Sequence, residues 1–445
     1  MKDQLPSSEE VSTPQDEGLQ KYGSAIEQTS EGGVSIPWDA YFTSYFIQGI
    51  LMQLLLGNVG VFLYNALGLD WLVLTASFFI MVIPVVSRPL FAFVADKRPA
   101  SLSSLLIFGL FLVTTGTGVA SLGTLSGAGG LWILTVGFSV GVVGATILNV
   151  VADSHIVRLV PLDKSARVNS YKRIFAFLGV LIAQLGYIFI VGENMQDLTA
   201  WALYFTLPAI CSIITFAIIS FKKKSLQILP VVTGLPQFRA QWLANTSAEG
   251  KNQKDKLFPI VLLIFILFLF NLPDGLLETP WEIFITKTYG SAQWVTYEGL
   301  IVLGGVVAGV GFILARRSGT HAPEWDFLWF APIITAYYAL LLFMPPFEVV
   351  IGVTIGLQIV AGFMQVRILQ AMQGHSYFKR AGLTFQIFMV TYQGGKFLGI
   401  GLSGIMMTYG GYLGLFFSSV VIWLIIFALS IGYWVTTRRA RVHKG

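Results

Sequence analysis

The feature that most constrains this chain is a series of apolar stretches, each long enough to cross a bilayer. A membrane-spanning helix needs about 20 predominantly apolar residues. Hydrophobic residues make up 55% of the chain and charged residues only 11%, whereas a soluble domain is typically about 25% charged. The sequence therefore predicts an all-α integral membrane protein. Its twelve predicted helices are 40–64, 72–95, 102–122, 130–152, 171–192, 198–221, 257–284, 294–315, 327–344, 348–370, 382–408 and 412–435.

The distribution of basic residues predicts which ends of these helices face the cytoplasm. Of the 28 Lys and Arg residues, all except Arg88, Lys287 and Lys396 lie in the tails or around the loops that follow even-numbered helices. Cytoplasmic segments carry an excess of Lys and Arg. We therefore expect a multi-pass protein of the plasma membrane with both termini in the cytoplasm. The net charge of +5 then reflects topology and does not indicate a nucleic-acid partner.

The order of the segments predicts two six-helix halves that resemble each other. VFLYNALGLDW is similar to IFITKTYGSAQW, and FAFVADKRP is similar to GFILARRSG, at matching places in the two halves. Such parallel repeats are typical of secondary transporters with a substrate site between the halves, near the membrane midplane. The predicted order is a disordered cytoplasmic tail, an N-terminal bundle, a cytoplasmic central loop, a C-terminal bundle and a basic cytoplasmic tail, at 1–37, 38–221, 222–256, 257–437 and 438–445.

The segment that follows the second predicted helix carries a family motif. RPLFAFVADKRP resembles the conserved loop between helices 2 and 3 of the major facilitator superfamily. Ala92 stands at its first glycine, Asp96 at its acid and Lys97 at its base, while the later Gly-Arg pair is missing. The second copy, GFILARRSG, has Ala315 at the acidic position. The resemblance implies the major facilitator fold, with twelve transmembrane helices in two six-helix parallel-repeat bundles.

Three further stretches are similar to the folate–biopterin transporter branch of that superfamily and its relatives. They are YFIQGIL at 45–51, IPVVSRPLFAFVADKRP at 83–99 and VADSHIVRLV at 151–160. This resemblance implies a pterin-like or folate-like substrate, although ASLSSLL follows where the branch usually carries a Tyr-Arg-Arg run. Some relatives of the branch serve pigment-complex biogenesis. A non-transporting assembly or sensor protein of the same fold is therefore an open alternative.

The stretch FNLPDGLLETPWEIF places acidic residues inside an apolar helix, where each central carboxylate costs roughly 2.5–3.5 kcal/mol. Asn271, Asp274, Glu278 and Glu282 recur at a spacing of three or four residues, which puts them on one helical face. We expect Glu282 to be wetted at the outer mouth. Lys396, near the middle of the eleventh predicted helix, is the obvious partner of Asp274. We expect Asp274, helped by Glu278, to alternate between this pair and a bound proton.

Neutral side chains at similar depth extend the candidate substrate site. Amide and phenol groups inside a membrane can bind a polar solute, and they can equally join neighbouring helices. The candidates are Tyr45, Gln48, Gln53, Gln358, Gln365 and Gln393.

Charged residues at the predicted cytoplasmic edge form a second group. We expect a charge network that holds the inward side shut, with ordinary snorkelling of long side chains to the interface as the alternative. Its predicted members are Arg88, Asp96, Lys97, Asp153, Arg158, Arg173 and Arg316.

Together these features predict a secondary active transporter that moves a small polar solute by alternating access, with a proton or another cation as coupling ion. We expect the solute to be anionic, because the ammonium group of Lys396, inside the predicted membrane segment, could bind an anion. The central loop, 222–256, has no Walker A motif, which argues against an ATP-driven pump. We expect no enzymatic activity, cofactor or metal, and a monomer in the lipid bilayer. A uniporter or lipid flippase of the same fold is a second alternative.

Overall fold

The structure is a computed structural model that describes residues 38–97, 102–159, 162–221, 253–317, 324–375 and 381–442. Helices joined by short turns account for these ranges. The predicted N-terminal tail and most of the predicted central loop lie outside the described residues.

The N-terminal half contains six helical segments, and local sequence accounts for where they start and break. Asp70 caps the second helix, because its carboxylate accepts the backbone N–H groups of Leu72 and Val73 at 3.0 Å. Pro84, which lacks a backbone N–H, lies at the interruption of the same helix. The segments are α1, Trp38–Gln53, with π-helical turns at Leu54–Asn58 and Phe62–Ala66; α2, Trp71–Val82 and Arg88–Lys97; α3, Leu102–Leu125; α4, Leu131–Leu159; α5, Leu162–Gly186, with a π-helical turn at Tyr187–Val191; and α6, Leu198–Phe205 and Leu207–Phe221.

The C-terminal half continues the pattern with one long helical stretch at its end. That stretch, Ala381–Val442, breaks at Gly411, whose φ of 58° and ψ of −162° are not helical. Glycine adopts a positive φ at little cost, so the chain can reverse there into α11 (381–410) and α12 (412–442). The preceding segments are α7, Gln253–Phe270 and Leu272–Tyr289; α8, Ser291–Arg317; α9, Glu324–Leu341; and α10, Phe347–Gly374.

Length and composition make much of this helical structure suitable for a membrane. Within the described residues, nine segments are long and apolar enough to cross a bilayer, with α11 and α12 counted as one continuous segment. A shorter apolar helix spans Trp325–Leu341. The prediction of an all-α membrane protein is therefore confirmed. Several helices are longer than the apolar pattern predicts: α5 begins at Leu162 and α7 ends at Tyr289. A helix can continue into polar residues outside the bilayer, where hydropathy gives no signal.

Close backbone contacts hold α1 against α5 in the N-terminal half. A Cβ atom added to Gly49 would overlap the carbonyl oxygen of Ala176, and one added to Gly179 would overlap that of Phe46. Helices in lipid approach closely where small residues meet. In the C-terminal half α7 and α11 pack in the same manner, with Gly275 against the carbonyl oxygen of Lys396. The same helix pair thus meets through glycine in both halves, as a parallel repeat would require.

Gly275→Ala is expected to destabilise the protein, because a methyl group has no room beside the Lys396 backbone. Overpacking of this kind costs about 1–3 kcal/mol, against about 1 kcal/mol gained in helix propensity. The midpoint of thermal unfolding in detergent measures the change. Gly414→Ala is the matched control, because nothing lies within 4 Å of its added Cβ. Equal midpoints for the two variants would contradict the close approach of α7 and α11.

The two halves meet along α2 with α11 and along α5 with α8. We call the end of the molecule at which α1 begins and α6 ends the basic face, and the opposite end the distal face. Near the distal face, Gly404 of α11 lies against Trp71 and Thr75 of α2. At the basic face, the space beside Gly382 of α11 is occupied by Asp96 and Ser154 of the other half.

Candidate functional site

The break in α7 ties this helix to α11. Asn271 lies between the two parts of α7, and the Pro273 that follows lacks a backbone N–H. The side-chain Nδ2 of Asn271 donates to the backbone carbonyl oxygen of Tyr392 on α11 at 3.0 Å. Asn271, expected to contact substrate, is thus held by a helix–helix hydrogen bond.

Lys396 forms an ion pair with Glu278. Lys396 Nζ lies 2.8 Å from Glu278 Oε2, and the two side chains are 21% and 19% exposed. The sequence suggested Asp274 as the main partner and Glu278 as the helper. The backbone of Lys396 lies against Gly275, between these two acids along α7, and the long side chain reaches the second of them.

Asp274 makes a different contact. Its carboxylate accepts the hydroxyl of Tyr338 on α9 at 3.1 Å. Asp274 is exposed to solvent, although Pro273, Gly275 and Leu276 beside it are buried, and Tyr338 is itself only 5% exposed. The exposed surface of Asp274 therefore faces an open space beside Tyr338. Asp274, Glu278 and Lys396 together form what we call the central charge cluster.

Glu282 is buried, with 4% of its surface exposed, so the expectation of a wetted mouth position was wrong. The reason is that α7 continues to Tyr289, about two turns beyond Glu282. Aromatic residues of that extension, including Phe284 and Tyr289, pack against each other with ring centroids 5.7 Å apart. These rings surround the end of the helix where the sequence suggested open water.

Two tyrosines of α9 were missed by sequence reasoning. Tyr338 donates to Asp274, and the adjacent Tyr337 shares a hydrogen bond of 3.1 Å with Thr354 on α10. The sequence predicts the site on α7 and α11 because these apolar segments contain charged residues. The apolar part of α9 contains no charged residue. The Tyr-Tyr pair in an otherwise apolar helix was the available signal.

The candidate amides are not joined directly to the central charge cluster. Gln48 and Gln53 on α1, Gln358 and Gln365 on α10, and Gln393 on α11 are each half-buried. Within the described ranges, no hydrogen bond links any of them to Asp274, Glu278 or Lys396. The Oε1 atom of Gln393 is buried without a hydrogen-bond partner in this part of the chain.

At the basic face, a buried polar network joins the two halves. Asp153 on α4 accepts the hydroxyl of Tyr45 at 2.6 Å and the amide Nε2 of Gln386 at 2.9 Å. It also forms an ion pair with Lys172 on α5. Arg88 Nη1 on α2 donates to Gln386 Oε1 at 3.3 Å. Gln386 belongs to α11, so one side chain of the C-terminal half holds two helices of the N-terminal half. We call these five residues the latch.

Other hydrogen bonds between the halves lie near the latch. Asp96 Oδ2 accepts the backbone N–H of Leu383 at 3.0 Å. Three more contacts of this kind are Asn169 Nδ2 to Gln373 Oε1 at 2.9 Å, Ser170 Oγ to the carbonyl oxygen of Phe312 at 2.9 Å, and Arg316 Nη1 to Tyr171 Oη at 3.5 Å.

The predicted gate residues thus separate into three groups. Arg88, Asp96, Asp153 and Arg316 make contacts that bridge the halves or organise the bridge. Arg173 lies on α5 beside the latch and makes no hydrogen bond or ion pair among the described residues. The side chains of Lys97 and Arg158 lie outside what the structure describes.

Tyr45, Lys172 and Gln386 are latch residues that sequence reasoning did not assign. Tyr45 was placed among the substrate candidates, and Lys172 was counted only as a basic residue of a loop. Gln386 lies in FKRAGLTFQ, a stretch similar to YKRIFAFLG of the first half. A neutral amide carries no topological signal, so the sequence offered no reason to select it.

A buried ion pair in the C-terminal half was also missed. Arg367 Nε on α10 donates to Asp326 Oδ2 on α9 at 2.6 Å, and Arg367 is 1% exposed. Arg367 Nη1 also donates to Gln370 Oε1 at 2.6 Å. The pair lies within one half, and it holds α9 and α10 together.

Comparison with known proteins identifies the fold. No protein-family model and no curated protein sequence matches the chain. Among solved structures, the xylose transporter XylE from E. coli in a partially occluded inward-open conformation aligns with a TM-score of 0.64 at 9% identity, covering 89% of this chain and 95% of that chain.

Two further transporters align over a similar length. A bacterial homologue of the iron transporter ferroportin, in an outward-facing state, gives a TM-score of 0.60 at 12% identity, covering 90% of this chain and 99% of that one. The major facilitator superfamily transporter FucP, in an outward conformation, gives 0.59 at 13% identity over 90% and 99% of the two chains. At these low identities the alignments show similarity of fold only. None of the three structures tests the resemblance to the folate–biopterin branch. The chain has the fold of the major facilitator superfamily transporters.

Proposed function

We propose that this protein is a secondary active transporter that moves a small polar organic solute by alternating access, coupled to protons. The observation that carries the proposal is the central charge cluster, in which two acids of the interrupted helix α7 lie beside Lys396 of α11. Charged residues within membrane segments are costly, and they commonly mark substrate or proton pathways. The fold is shared with transporters, among them a proton:xylose symporter.

Proton coupling is supported by the number of acids around one base. Lys396 pairs with Glu278 at 2.8 Å, which leaves Asp274 with the Tyr338 hydroxyl as its hydrogen-bond donor. Among the described residues, Asp274 has no cationic partner at ion-pair distance. Such a carboxylate can bind a proton when its surroundings dry and release it when they become wet. Asp274 is therefore the residue to which we assign the coupling proton.

Alternating access requires contacts between the halves that can open. The latch closes the basic face through Gln386, whose two hydrogen bonds to Arg88 and Asp153 can be broken without separating a charge pair. At the distal face, Lys287 Nζ lies 4.7 Å from the ring centroid of Tyr64 in the other half. We propose that the two bundles, 38–221 and 257–437, rock about the central charge cluster and exchange these two sets of contacts.

The proposed topology has twelve crossings, with α11 and α12 as separate spans and both termini in the cytoplasm. In a Cys211→Ser background, a cysteine at Ser126 should react with an impermeant thiol reagent added to intact cells. A cysteine at Ser247, in the central loop, should react only after permeabilisation. Reaction of both from the same side would contradict the topology.

Uptake into proteoliposomes tests the function itself. The panel comprises pterins, folates, sugars, amino acids and small peptides, each measured with and without an inward proton gradient. We expect one class to accumulate above equilibrium only with the gradient. Uptake of a solute to equal inside and outside concentrations, with or without the proton gradient, would indicate a uniporter. Lipid scrambling without solute uptake would indicate a flippase. The absence of any transport across the panel would favour the assembly or sensor role.

A further inference from the structure

The latch contains two cations, Arg88 and Lys172, and Arg173 adds a third that the transport proposal does not explain. Arg88 on α2 and Lys172 and Arg173 on α5 interact electrostatically with one another. Asp153 is the acid to which Lys172 is paired. The cluster thus has three positive charges around one carboxylate.

The partners of these cations are unevenly distributed. Lys172 is satisfied by its ion pair with Asp153, and its ammonium lies 4.8 Å from the ring centroid of Tyr45. Arg88 is 2% exposed and donates from Nη1 to Gln386, but its buried Nε has no hydrogen-bond partner. The buried Nε of Arg173 also lacks a partner. Arg88 on α2 and Arg173 on α5 therefore each hold an unused Nε donor.

Asp96, a second acid at the basic face, lies farther along α2. Asp96 is eight residues beyond Arg88 on α2, which corresponds to a rise of about 12 Å. Its carboxylate already accepts the backbone N–H of Leu383. A buried charge without compensation is strongly destabilising. The arrangement is accordingly that of a binding site for an anion.

We propose that Arg88 and Arg173, through their unpartnered Nε groups, bind a small oxyanion, a carboxylate or a phosphate, beside Gln386. A guanidinium presents a planar fork of N–H donors that matches two oxygens of one carboxylate or phosphate. Arg88 also donates to Gln386 of the C-terminal half. The anion therefore stabilises the arrangement in which the latch is closed. Neither arginine belongs to the central charge cluster as defined above, and binding of the anion does not depend on the proposed transport activity.

The test is a titration of purified full-length protein in detergent with sodium phosphate or sodium acetate, at constant ionic strength maintained with sodium chloride. Thermal unfolding is followed at each concentration. We expect a saturable rise in the unfolding midpoint with either oxyanion in the wild type. Arg173→Gln should weaken the apparent affinity at least about tenfold, because it removes a charge-assisted contact. Arg173→Lys, which keeps the charge and loses the planar fork, should give an intermediate affinity.

Arg317→Gln is the matched control, because Arg317 is exposed at the end of α8 and lies outside the cluster. It should respond to phosphate as the wild type does. The proposal would be overturned by a wild type that shows no saturable response to either oxyanion. It would equally be overturned if Arg173→Gln kept the wild-type affinity, or if Arg317→Gln lost it to the same degree. A response to phosphate alone or to acetate alone would support the site and define its ligand.

Discussion

Asp274→Asn is expected to abolish accumulation driven by a proton gradient, while exchange of labelled for unlabelled solute continues. The asparagine keeps an oxygen that can accept the Tyr338 hydroxyl, but it can no longer bind or release a proton. Exchange requires no net proton movement, so only the coupled mode should fail. In proteoliposomes containing the solute identified by the uptake panel, the inside-to-outside ratio should fall to about one from the tenfold that a gradient of one pH unit can sustain.

Two variants separate this effect from general damage. Glu348→Gln neutralises an exposed acid at the start of α10 and should accumulate solute normally. Tyr338→Phe removes the hydrogen bond to Asp274 but keeps the carboxylate, so accumulation should continue. If Asp274→Asn accumulated solute to wild-type levels, α7 would carry no coupling site.

The second large effect is expected from separating the ion pair in the central charge cluster. Lys396→Gln leaves Glu278 charged in a half-buried site, and Glu278→Gln leaves Lys396 in the same condition. Breaking a fully buried pair costs about 3–5 kcal/mol, and exposed pairs contribute about 0–1 kcal/mol. Because these two side chains are about one-fifth exposed, we expect each single change to cost about 2 kcal/mol. Thermal and denaturant unfolding in detergent measure the cost.

The double variants identify the partner of Lys396. Glu278→Gln/Lys396→Gln should be more stable than either single variant, since it leaves neither charge unpaired. Asp274→Asn/Lys396→Gln should show little recovery, because Asp274 is bound to Tyr338. Recovery in that second double variant alone would show that Asp274 is the true partner, as the sequence suggested.

Much of the fold could be predicted because a bilayer leaves a chain few options. Backbone groups in lipid must be satisfied within a helix or a closed barrel, so apolar stretches of the right length define the helices. The predicted ends were less accurate where a helix leaves the membrane. The start of α5 at Leu162 lies in a polar stretch, and the end of α7 at Tyr289 is followed by Gly290 with a φ of 99°; the apolar pattern reports neither.

The candidate site was predicted in part for a related reason. Helical periodicity places Asp274 and Glu278 on one face of α7, and Lys396 had to lie close to some acid. Which acid it meets depends on how far α11 is shifted along α7. That shift follows from the contact of Gly275 with the Lys396 backbone. Asp274 and Glu278 are one helical turn apart, so the three-dimensional packing of α7 against α11 decides which of them pairs with Lys396. The pattern of a single sequence does not reveal this packing.

The latch was also predicted only in part: its acid and one of its cations were identified, but its neutral residues were not. Asp153 and Arg88 were predicted at the basic face because charges near a helix end are conspicuous. Tyr45 and Gln386 are neutral, and nothing in their local pattern distinguishes them from residues that line a cavity. Their role is visible only where α1, α4 and α11 converge on Asp153.

Alternating access is the central claim, and distances across the two faces test it most directly. Spin labels at Phe221 and Arg317 report the basic face, and labels at Ser126 and Phe343 report the distal face; all four positions are exposed. Double electron–electron resonance is measured in the Cys211→Ser background, with and without Gln386→Leu, which removes the hydrogen bonds that close the latch. We predict that Gln386→Leu lengthens the basic-face distance and shortens the distal-face distance. Distances that stay fixed at both faces, or that lengthen at both, would contradict the account.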